Sequence, residues 1–134
     1  MRFMMFMFPN PKAYEGAGVP DAKAVEAMTR YNEELTKAGV LLALDGLQGP
    51  ALGARIKFSG GKAAVKDGPF SEAKEVIGGY WMIQVKSREE AIEWARRCPP
   101  EEGAFIEIRQ VFEMSDFPED VRKAAQGNVN PARG

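Results

Sequence analysis

Chemistry in this chain has to come from carboxylates, lysine, arginine, tyrosine or a single thiol, because its 134 residues include no histidine. That removes the usual near-neutral general base, every Ser-His or Cys-His nucleophile and the commonest nitrogen ligand for zinc. Two carboxylates stand out. Asp67 opens the turn Asp67-Gly68-Pro69-Phe70, and Glu107 lies in Phe105-Ile106-Glu107-Ile108-Arg109. Asp67 reads first as a turn residue that hydrogen-bonds backbone two residues on, and second as an acid, base or ligand at a cleft edge. Glu107 and Arg109 are two residues apart on a strand, so both point to one face, away from Ile106 and Ile108. Arg109 can grip a carboxylate or phosphate with two parallel donors, or it can close a structural ion pair with Glu107.

Tyr80, Met82 and Gln84 share a strand face and can line the same cleft, with Trp81 supporting or shaping its walls. Glu72, Lys74 and Glu75 read as a solvated charge run. Their alternative is a brace for the turn, or a Lys74–carboxylate pair suited to proton transfer. Cys98 is a poor nucleophile, since it lies where a helix ends and the negative end of the dipole disfavours a thiolate. Gly60-Gly61-Lys62 lacks the strand-loop-helix frame of a phosphate loop, so it reads as a hairpin turn. Asp67, Glu72 and Glu75 have the oxygen chemistry for Mg²⁺ but no specific spacing, so neither a metal nor a cofactor is expected.

The elements that must position these groups are readable from periodicity. Residues 2–8 are apolar at nearly every position and predict a strand covered on both faces. After a Pro/Gly-rich loop, Asp21 offers an N-cap for a helix with Val25, Met28, Tyr31, Leu35 and Ala38 inward, stopped by Gly39. Residues 40–47 predict a second strand. Residues 55–58 and 63–66 predict a hairpin around Gly60-Gly61. Residues 79–85 predict a strand with Trp81, Ile83 and Val85 on one face. Ser87 and Glu90 then form a capping box for a helix carrying Ala91, Ile92 and Ala95 inward, ended by Pro99-Pro100. Residues 105–112 predict the last core strand, and a short helix is expected near Pro118, followed by a Gly/Asn/Pro-rich, mobile end.

Without the inserted hairpin, the order is β-α-β-β-α-β, the split βαβ or ferredoxin-like plait of the α+β class. Its domain spans residues 1–114, with 115–134 as a tail. Helices in this plait cover one sheet face, so the doubly apolar first strand calls for a second cover. A second copy of the sheet in a two-fold dimer is one answer, and a monomer folding its own hairpin and tail over the face is the other.

Eighteen basic against nineteen acidic side chains leave a net charge of −1. With no basic stripe, a nucleic-acid partner has little electrostatic support. The apolar start is too short for a membrane span and lacks a cleavage site, and the lone Cys98 suits a reducing compartment. A cytoplasmic, membrane-free protein is therefore expected.

The string from Asp67-Gly68-Pro69-Phe70 through Ser71-Glu72-Ala73-Lys74-Glu75-Val76-Ile77-Gly78-Gly79-Tyr80-Trp81 resembles the DGPF-motif proteins of the YCII-related family. Further matches are Gly39, Leu47, Glu90-Ala91, Trp94-Ala95, Cys98-Pro99 and Glu107-Ile108-Arg109. The resemblance implies a dimeric α/β barrel of ferredoxin-like subunits and no settled activity. It also implies a regulatory or accessory setting, since such proteins are commonly encoded beside extracytoplasmic-function sigma factors. The His-Asp pair linked to the wider group has no counterpart in a histidine-free chain. Ala73 stands where Thr is usual, and Gln110 where Pro is usual. Three functions are carried forward: a small-molecule-binding or regulatory dimer with an interface cleft; a metal-free lyase, isomerase or monooxygenase using Asp67 or Glu107; and a protein-interaction module using the segment from Ser115 onward.

Overall fold

The computed structural model describes residues 1–14, 21–70 and 75–126. The chain is an α+β protein with antiparallel sheets and, among the described residues, three α-helices. Strand β1 (Arg2–Phe8) is followed by helix α1 (Ala22–Lys37) and strand β2 (Leu41–Gly46). The ribbon strands β3 (Ala54–Ser59) and β4 (Lys62–Asp67) come next, then β5 (Gly79–Gln84), α2 (Arg88–Arg96), β6 (Phe105–Gln110) and α3 (Glu119–Ala124). Four strands form one sheet in the order β2-β5-β1-β6, while among the described residues β3 and β4 form a separate two-stranded ribbon. With that ribbon set aside, the order and directions are those of a split βαβ plait.

Local chemistry explains the boundaries. The Asp21 side chain accepts from the Ala24 backbone N–H at 2.7 Å, capping α1, and Gly39 leaves the helix at φ 73°. Ser87 caps α2 by accepting from Glu90 N–H at 3.1 Å. Glu90 reaches back one residue further than a standard box, accepting from Lys86 N–H at 2.8 Å. At the ribbon tip, Gly60 and Gly61 both take positive φ, 59° and 75°, as a tight two-residue turn between right-twisted strands requires.

The core lies between the sheet and the two longer helices. Phe3 and Met5 of β1, Trp81 and Ile83 of β5, Tyr31 and Leu35 of α1 and Ala91 of α2 are buried there. Met5, Leu35 and Ile83 are fully buried; each contributes roughly 1.5–3 kcal/mol relative to exposure. The buried polar atoms of the core aromatics are satisfied: Tyr31 Oη donates to the Trp94 carbonyl at 2.6 Å, and Trp81 Nε1 donates to Asn32 Oδ1 at 2.8 Å.

Two inward assignments and one strand end from periodicity are corrected. Val25 is 47% exposed and Ala38 is exposed; Val25 lies in the first turn of α1 and Ala38 is its C-cap. The last strand, expected over 105–112, ends at Gln110; Phe112 lies beyond it, is 69% exposed and stacks on Phe117. The helix near Pro118 is present as α3, with Pro118 at its N-cap. The Gly/Asn/Pro-rich end, 127–134, lies outside the described residues.

Candidate functional site

Register decides which side chains share the sheet face turned away from the helices. Asp45, Tyr80, Phe6 and Glu107 stand side by side across β2, β5, β1 and β6. One pair further along, Ala43, Met82, Met4 and Arg109 form the next row, and Gln84 and Arg2 lie opposite each other beyond that. The middle of this open face is apolar and half-buried, made of Met4, Phe6 and Met82 with the Tyr80 ring. Its margins are polar. An apolar centre with a few convergent polar groups is the lining small-molecule sites use once a further surface makes it concave.

Each marginal group has a defined state. Arg109 reaches Glu107 at 3.6 Å, with side chains 72% and 50% exposed. That is a loose, solvated bridge, worth about 0–1 kcal/mol, which leaves most of the guanidinium fork open. Tyr80 donates its hydroxyl proton to Asp45 Oδ2 at 2.6 Å, and this bond to the carboxylate raises the tyrosine pKa. Arg2 makes a two-pronged bridge to Glu113, Nε to Oε1 at 2.7 Å and Nη2 to Oε2 at 3.3 Å. Its other nitrogen lies 3.8 Å from the Met82 sulfur, which fixes the guanidinium beside the apolar centre.

Four of the sequence-based candidates, Tyr80, Gln84, Glu107 and Arg109, therefore meet on one face. Asp67 does not join them. It ends β4 in the separate ribbon, paired with Ala54, and its exposed carboxylate makes no hydrogen bond among the described residues, so the expected turn bond is not formed there. Lys74 and Glu72 lie outside the described residues. Trp81 points to the helix side, so it backs the face without lining it. Two groups escaped the reading from sequence: Asp45 and Arg2. Asp45 is placed only by non-local pairing with Tyr80 across a register shift between Leu41 and Ala43, and no local pattern announces that.

The DGPF turn serves architecture. A side chain on Gly68 would run into the Pro50 carbonyl, and Gly68 N–H donates to the Gly53 carbonyl at 2.9 Å. The Arg55 guanidinium sits 4.0 Å from the centre of the Phe70 ring. Glycine and phenylalanine of the motif thus dock the turn against the segment entering the ribbon.

A separate recess of about 390 Å³ opens between α2 and β6, walled by Met7, Ile92, Pro99, Phe105 and Ile106, with Cys98 in its lining. Burial, and then the charge of Glu101, push the Cys98 thiol up to about 11, so it is no nucleophile near neutral pH. Among the described residues no group of three or more His, Cys, Asp or Glu side chains could hold a metal ion, and no helix is long and apolar enough to cross a membrane.

The model of the YCII-related domain matches residues 1–115, which takes in strands β1 to β6 and helices α1 and α2. The chain is also 29% identical over 92 residues to an uncharacterised protein of Rhizobium meliloti (strain 1021), an alignment covering 66% of this chain and 73% of that one.

Proposed function

Because the chain belongs to the YCII-related family, we propose that it is a small-molecule-binding dimer in a regulatory or accessory role. The open sheet face is its ligand site, and Arg109 is the anchor for a carboxylate or phosphate. The observation that carries this reading is the 72% exposed Arg109, held among the described residues by a 3.6 Å bridge to Glu107, beside an apolar centre of Met4, Phe6 and Met82. Tyr80 stands two strands away, about 10 Å at ordinary strand spacing, so a ligand with an aromatic or short aliphatic body can span from one to the other. A second copy facing the same surface turns it into a cleft and covers apolar side chains that water otherwise meets. A protonated, buried Cys98 suits the reducing cytoplasm in which we place the protein.

Thermal-shift measurements with benzoate and inorganic phosphate test the site. The wild type is expected to gain melting temperature with ligand, by mass action on the native state. Arg109→Lys keeps the charge but loses the planar fork, so its shift should be small, and Arg109→Ala should show none. Equal shifts in wild type and Arg109→Ala would reject the anchor role.

A further inference from the structure

Asp45 is turned to the open face by an irregularity in its own strand. Leu41 pairs with Ile83 on the helix-covered side of the sheet, and regular alternation from there would send Asp45, four residues on, to that same side. The register shift between Leu41 and Ala43 adds one residue to β2, so Ala43 pairs with Met82, Leu44 with Trp81 and Asp45 with Tyr80. One inserted residue exchanges the two faces beyond it, and such bulges re-aim side chains. Leu44 thereby packs against the core, and Asp45 stands beside Tyr80 on the other side. Gly79 lets the strands run close at this point, since a side chain there would meet the Asp45 carbonyl at 2.9 Å.

The carboxylate so placed is only half engaged. Oδ2 accepts from the Tyr80 hydroxyl at 2.6 Å, while among the described residues Oδ1 accepts no hydrogen bond and no cation pairs with Asp45. Glu107 is already bridged to Arg109, and Glu113 to Arg2. The open face therefore carries a guanidinium with spare donors at its β6 edge and an anion without a cation at its β2 edge. Between them lie Met4, Phe6, Met82 and the Tyr80 ring. A molecule that satisfies both edges has an anionic end, an apolar body and a cationic end.

We propose that Asp45 selects the far end of the ligand, and that the open face takes a small amphoteric molecule whose primary ammonium meets Asp45 while its anion meets Arg109. The proposal rests on the ligand site proposed above and adds the class of its occupant. Charge favours an ammonium over a neutral donor at Asp45, because a hydrogen bond between two ions is roughly twice as strong as one between neutral groups. The Tyr80 and Phe6 rings next to it in the row attract a cation further. Strands β2 and β6 are the two edges of the sheet, three spacings or about 14 Å apart. The long Arg109 stem, laid inward over the apolar centre, takes up part of that span. A benzene ring with one short arm fills the rest.

Calorimetric titration with three probes tests this: para-methylbenzoate, para-(hydroxymethyl)benzoate and para-(aminomethyl)benzoate. All carry the anion and the ring, and the last alone carries the cation. The wild type should bind the amine roughly 10-fold tighter than the methyl compound, the gain of one charge-assisted hydrogen bond, with the alcohol between them. In Asp45→Asn, shown to be folded by circular dichroism, the amine should lose its lead. Tyr80→Phe breaks the same side-chain bond but keeps the carboxylate, so the lead should persist there. If the amine binds no tighter than the methyl compound, or keeps its lead in Asp45→Asn, the role of Asp45 is overturned while the Arg109 site stands. A lead lost equally in Asp45→Asn and Tyr80→Phe overturns a direct contact with the carboxylate. An alcohol that matches the amine overturns selection by charge. If none of the probes binds the wild type, the ligand site and the role of Asp45 are overturned together.

Discussion

Two side chains give this molecule a titration signature. Tyr80 is held protonated by its bond to Asp45, so Asp45→Asn should bring one phenol back toward the ordinary tyrosine value. Ultraviolet titration of the phenolate band in the two proteins reads this directly. An unchanged curve would mean that the 2.6 Å bond does not form in solution. Cys98 gives a second test. Its thiol, raised from 9.0 to about 11, carries roughly 100-fold less thiolate at pH 8 than an ordinary cysteine, and iodoacetamide should modify it correspondingly slowly. The sign for stability follows from the raised value. The thiol's contribution is fully present below pH 9, where folded and unfolded chains are both protonated, and is lost as pH rises through about 11. Cys98→Ser should remove that loss, as seen by chemical denaturation at pH 8 and pH 10.5. At this scale the sequence was informative where a single strand sets direction, as for Glu107, Arg109, Tyr80 and Gln84. It was silent on Asp45 and Arg2, whose partners lie 35 and 111 residues away.

Elements were legible wherever a cap, a turn or a long apolar period marks them. Asp21, Ser87, Gly39 and the Gly60-Gly61 turn act where their chemistry predicts. The ends of elements were harder, because exposure there depends on what lies beneath, as Val25, Ala38 and Phe112 illustrate. Leu35→Ala empties a fully buried site between α1 and the sheet and should cost about 2–5 kcal/mol in denaturant unfolding. In the DGPF turn the burden falls on glycine. Gly68→Ala forces the Pro50 carbonyl aside and should cost on the order of 1–3 kcal/mol. Asp67→Ala, at an exposed carboxylate with no hydrogen bond among the described residues, should stay within about 0.5 kcal/mol of wild type. A large loss for Asp67→Ala, with Gly68→Ala tolerated, would reverse this division of labour.

For the whole molecule, the plait follows from the order of elements, and the strand order β2-β5-β1-β6 places the apolar start of the chain in the middle of the sheet. That central position explains why residues 2–8 are apolar almost throughout: Phe3 and Met5 serve the helix-covered core, whereas Met4 and Phe6 serve the open face. What the sequence leaves undetermined is the ligand, because recognition depends on rows of side chains drawn from four strands. Methionines happen to mark every surface at issue. Met4 and Met82 lie on the open face, Met5 is fully buried on the opposite side, and Met7 lines the recess between α2 and β6. In protein labelled with ¹³C at the methionine methyls, titration with benzoate should move the Met4 and Met82 resonances in step and leave Met5 and Met7 in place, and Arg109→Ala should abolish the shifts. Movement of Met7 with Met4 and Met82 unmoved would place the ligand in the recess instead and contradict an open-face site anchored by Arg109.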